Sequence, residues 1–145
     1  MDFLIHLSSV NSDIYKILSR KLKFAENSSI CKKHNIYGWT DTKWKTISIC
    51  TNRIKSRNDY VYYLNETFYH ESVHAAQYCY NKMSSQGFKA FNINPSLMKL
   101  NASRSKDLKT AIKISGDGVR QIEHEAFWME DKPNKVKYVV EKYCL

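Results

Sequence analysis

Asp59 through about Asn81 is the longest uninterrupted helical candidate in the sequence, and no glycine or proline falls within it. Without a breaker, this segment is expected to form one long helix. Val61, Leu64, Phe68 and Ala75 run down one stripe of that helix. Val73, Ala76 and Tyr80 form a second stripe, so the helix should be buried on several sides.

Other elements are expected to pack around it. Asn11 or Ser12 can cap a helix through about Ala25, with Ile14, Ile17, Leu18, Leu22 and Ala25 on one face and basic residues between them. From Trp44 to Thr51, β-branched residues alternate with a period of two, as in a strand. Ile36, Tyr37 and Trp39 supply its hairpin partner across Thr40–Lys43. Residues 82–117 read as loop with one short basic helix near Ser105–Ile114, a natural cover for a site. Asp117 can cap a helix running to about Asp131, which Pro133 stops. A last helix uses Val136, Val139, Val140 and Tyr143. At 145 residues the chain is expected to be a single domain, residues 1–145, of the α+β class and mainly helical, with a small sheet or hairpin.

Composition narrows the possibilities. A hydrophobic share of 43% with only two prolines and four glycines belongs to a folded globule. No run approaches the ~20 apolar residues of a membrane span, and the opening MDFLIHLSSVNS does not read as a signal peptide. Cys31, Cys50, Cys79 and Cys144 lack any C-x-x-C pairing and are expected as free thiols in a reducing cytoplasm. The net charge of +9 predicts a weak attraction for nucleic acid or acidic partners, but lysines and arginines are scattered without a dense block.

The sequence YHESVH places His70, Glu71 and His74 inside the long helix. Residues four apart are turned only ~40° from one another, so the two imidazoles face one spot and can grip one metal ion. Glu71 lies beside the pair, placed to act as a base on metal-bound water. On a largely enclosed helix, three such side chains are costly unless paired or metal-bound. A catalytic site needs a third ligand. Gln77 and Tyr80 stand where the metzincin pattern requires glycine and histidine, which excludes that class. The segment 120–127, RQIEHEAF, offers two carboxylates. Glu125, flanked by Ile122 and Met129, most needs a cation and is favoured. Glu123 is kept as the alternative ligand or a supporting acceptor, and His124 as a further possible ligand, although it projects from another side.

HESVH on one helix and EHEAFWMED on a later one resemble the zincin metallopeptidases of the gluzincin kind, including short proteins of phage and bacterial origin, over about residues 44–131. The resemblance implies a strand, an active-site helix and a glutamate helix in that order, zinc as cofactor, and hydrolysis of a peptide or protein substrate. It implies that His70, His74 and Glu125 bind zinc and that Glu71 is the general base. The aspartate that many gluzincins carry four residues after the glutamate ligand is Met129 here, so Glu130 or a backbone carbonyl is expected to support the histidines. The strand over 46–50 is expected to border the cleft and pair with an extended peptide. The tyrosines, Arg120 and His124 remain open as oxyanion donors. Two other classes stay in play: a zinc-stabilised binding module that does not cut, and a basic nucleic-acid-binding protein whose histidines are structural.

Overall fold

A computed structural model of the protein describes residues 1–145. The long helical candidate forms α4, Tyr60–Tyr80, the axis of the molecule. Its residues 71–79 are buried without interruption. A helix enclosed on every side cannot show one clean apolar stripe, so polar residues in its interior must find partners.

Three helices pack on α4. These are α1 (Ser9–Leu18), α6 (Arg120–Met129) and α7 (Pro133–Cys144), and the core they share includes Ile14, Leu18, Leu64, Phe68, Val73, Ala126, Val136 and Val140. Pro133 opens α7 at its first turn, where a missing N–H costs nothing. α5, Ala102–Ser115, is longer than expected. The Asn101 side chain caps it by accepting from Arg104 N at 2.8 Å, and Leu108 is its only buried residue. Two further one-turn helices, α2 (Ser29–Lys33) and α3 (Thr51–Ile54), carry no pattern that marked them in advance.

A three-stranded sheet lies on another face of α4. It comprises β1 (Lys23–Glu26), β2 (Gly38–Asp41) and β3 (Thr46–Ile49) in the order β1-β3-β2. The β2–β3 hairpin forms, but Thr40 and Asp41, expected in its turn, lie in β2 opposite Ile47 and Thr46. β1 corrects the first helix: α1 stops at Leu18, and residues 23–26 pair in parallel with β3. Phe24 stacks on Phe68 of α4 with centroids 5.6 Å apart, so pairing and burial in the sheet override a local helical spacing. β3 is therefore the central strand, with both edges paired. The expectation that it receives a peptide fails for that reason, and β2 is the strand with an edge free beside the cleft.

The cysteines are not free thiols. Cys31 is bonded to Cys50 and Cys79 to Cys144, with Cα atoms 5.5 and 5.3 Å apart. Separations of 19 and 65 residues hide such pairs from any reading of local spacing, because tertiary packing alone brings them together. The free-thiol argument for a reducing compartment falls with them. No helix is long and apolar enough to cross a membrane.

Candidate metal centre

α4 aims His70 and His74 at one point, with ring centroids 4.9 Å apart. α6 brings Glu123 to the same point: its Oε1 lies 3.2 Å from His70 Nε2 and 2.5 Å from His74 Nε2. One ligand atom from each of the three residues lies within 4.8 Å of the others.

Glu125 is not among them. Two residues further along a helix is a turn of ~200°, so Glu125 faces away from Glu123. It is fully buried and accepts from Phe91 N (2.9 Å), Ile93 N (3.1 Å), Gln77 Nε2 (3.0 Å) and Gln121 Nε2 (2.9 Å). Its apolar sequence neighbours did signal a buried carboxylate, but amide donors rather than a cation satisfy it. His124 is also elsewhere: its Nε2 donates to the Met98 carbonyl at 2.8 Å, anchoring the loop before α5.

Hydrogen bonds fix which nitrogen of His74 faces Glu123. The Gln77 Nε2 donates to both the Ile122 carbonyl (3.0 Å) and Glu125, so its Oε1 must point to His74 Nδ1, 2.8 Å away. That oxygen can only accept, so Nδ1 carries the proton. In the neutral ring, Nε2 is then a lone pair facing a carboxylate oxygen. His70 is held in the same sense, with Nδ1 2.8 Å from Glu130 Oε1. Two lone pairs and a carboxylate converging on one place are satisfied either by protons on both rings or by one cation. The donor set of two nitrogens and one oxygen suits zinc.

The electrostatics of the metal-free site agree. Burial alone would lower the His70 pKa, but hydrogen bonds and charge from Glu123 and Glu130 raise it well above the ordinary value. His74 is raised against the same burial penalty, chiefly by Glu123. Burial would raise Glu123, yet the two histidines hold it far below the usual carboxylate range.

Glu71, the next residue on α4, is 5% exposed. Burial pushes its carboxyl above the ordinary range, partly offset by the His70 and His74 charges. Thr40 on β2 donates its hydroxyl to Glu71 Oε1 at 2.8 Å. Gly38 makes this approach possible: a Cβ there would sit 2.8 Å from Glu71 Cγ and 2.9 Å from Thr67 Cγ2. The strand can lie against the helix only because that position has no side chain.

These groups open on a cleft of about 500 Å³ between β2 and α4 on one side and α5 and α6 on the other. Ile36, Trp39, Phe88, Ile114, Val119 and Phe127 give it apolar walls. Among the tyrosines, Tyr37 lines it. Arg120 does not, being paired with Asp117 at the surface. α5 covers the cleft from the region expected to do so, and Arg104 fastens it. Its Nε lies 3.0 Å from Glu130 Oε2, and its Nη2 lies 2.7 Å from Glu66 Oε2.

A family model described as a domain of unknown function, DUF8637, matches residues 3–145. The chain belongs to the DUF8637 family. No curated protein and no solved structure matches it. In this DUF8637 chain, sequence reasoning missed Gly38, Thr40, Gln77 and Arg104. Gly38 precedes a strand residue facing the site, a weak signal. Gln77 lies three residues after His74 on the same helix, within reach of its ring, and was legible in principle. Glu130 was expected as support for the histidines, and the structure puts it on His70.

Proposed function

We propose that this chain is a zinc-dependent peptidase in which His70, His74 and Glu123 hold the metal and Glu71 is the general base. One observation carries the reading. Two Nε2 atoms and one carboxylate converge beside a second, buried carboxyl at the wall of an open cleft. Zinc bound there supplies Lewis-acid chemistry, making water more acidic and polarising a carbonyl.

Glu71 takes a proton from the attacking water and delivers it to the leaving amine. The Thr40 hydroxyl keeps Oε1 in place. The free edge of β2 offers backbone groups to an extended peptide, replacing β3 in that role. Glu66, Glu71, Asp107, Glu123 and Glu130 all line the cleft, which disfavours a nucleic-acid backbone there despite the basic surface.

Glu71→Gln tests the reading. Zinc stoichiometry should be unchanged, while hydrolysis of a peptide mixture falls by about 10²-fold to 10⁴-fold. Full activity in the variant would refute the base assignment. A zinc-loaded wild type that cuts no peptide would leave a binding module.

A further inference from the structure

Arg57 is the one lysine or arginine that lines the cleft. It is exposed, in the turn between α3 and α4. Its guanidinium lies over the Tyr63 ring, 3.7 Å from the centroid, and its Nη1 donates to the Tyr37 hydroxyl at 3.3 Å. Tyr37 directly precedes β2, so Arg57 stands at the start of the strand whose edge is free.

Arg104, the other arginine near the site, is consumed by Glu66, Glu130 and Asp131. Arg57 belongs to none of the ion pairs of the molecule. Glu66 and Asp107, which also line the cleft, act on it by charge across the cleft without forming an ion pair. The guanidinium thus rests on an aromatic face and a hydroxyl while most of its five N–H donors make no hydrogen bond within the protein. Stacking fixes the plane of the fork without using the in-plane donors that match a carboxylate.

We infer that Arg57 is a specificity determinant that captures a carboxylate of the bound peptide, either an acidic side chain or the free C-terminus. The inference rests on the reading of the cleft as a peptide site. It predicts a preference for one carboxylate at the position beside Arg57, in a cleft otherwise lined by acidic side chains.

The test separates this inference from the proposed hydrolysis by measuring binding as well as cleavage. Zinc-loaded Glu71→Gln protein is titrated, by fluorescence anisotropy, into labelled peptides of one alanine-rich sequence. These carry Glu or Gln near the centre and end in a free acid or an amide. At least one neutralisation should weaken binding about tenfold, as expected for loss of a charge-assisted fork. In Glu71→Gln/Arg57→Gln that ratio should collapse to within about twofold, and Arg57→Lys should recover part of it. Loss that follows the amide identifies the terminus; loss that follows Gln identifies the side chain. In protein with Glu71 intact, Arg57→Gln should raise KM for the acidic peptide far more than it lowers kcat. An unchanged ratio in the arginine variant, indifference to both neutralisations, or no binding at all would overturn the inference. Selective binding without cleavage by the wild type would instead defeat the peptidase reading alone, and cleavage without selectivity would defeat only the role of Arg57.

Discussion

The two histidines are held by opposite means. His70 leans on an ionic chain, Glu130 and then Arg104, that reaches across to the covering helix α5. His74 leans on an amide chain, Gln77 and then Glu125, that runs into the core and ties down the 91–93 backbone. Both chains leave Nδ1 as the donor and direct Nε2 to the proposed metal position beside Glu123, so they are equivalent in what they do for the ring. They differ in what else they support. The Glu125 chain is part of the folded core. The Glu130 chain couples the site to a helix with a single buried residue. Stability and metal affinity should therefore separate between the two sides.

The largest effect is expected for Glu125→Ala. It leaves four N–H donors, two of them backbone, without the buried carboxylate that accepts from them and should lower the unfolding free energy by about 3–5 kcal/mol, read from urea melts of the metal-free protein. Glu130→Gln should do the reverse, lowering zinc affinity about tenfold or more while costing about 1 kcal/mol of stability. Competition with a chromophoric chelator and urea melts measure the two numbers. If Glu130→Gln were the more destabilising variant, the contrast between the sides would collapse.

The pH dependence sharpens the same contrast. The raised histidines contribute stability to the metal-free protein that is fully present below their unfolded pKa of ~6.5 and lost as pH rises through the folded values. The depressed Glu123 contributes stability present above its unfolded value of ~4.3 and lost as pH falls through its folded value. The cluster thus helps the metal-free fold most between about pH 4.3 and 6.5. Zinc needs both rings free of a proton at Nε2, so its apparent affinity should keep rising with pH above 6.5 and binding should release protons. Calorimetry in buffers of different ionisation enthalpy reads that release, and none at neutral pH would show the rings already neutral. The smallest effect is expected for Arg104→Gln, one bond further from the metal, with a loss of a few-fold in zinc affinity.

Much of this was readable in the chain. The long helix, the two histidines on one face, Glu71, the β2–β3 hairpin and the helix after Pro133 all follow from periodicity and spacing. The site failed at one choice, Glu125 over Glu123. Both are two-sided guesses from neighbours, and the deciding partners, Phe91 N and Ile93 N, are more than thirty residues away in the chain. β1 and the two disulfides were hidden for the same reason: each depends on a partner set by packing rather than by adjacent residues.

Zinc content by mass spectrometry, after loading and exhaustive dialysis, decides whether Glu123 completes the site. Wild type should hold one zinc per chain, and Glu123→Ala should lose it while circular dichroism shows the fold intact. Full zinc retention in Glu123→Ala, or none in the wild type, would contradict the assignment.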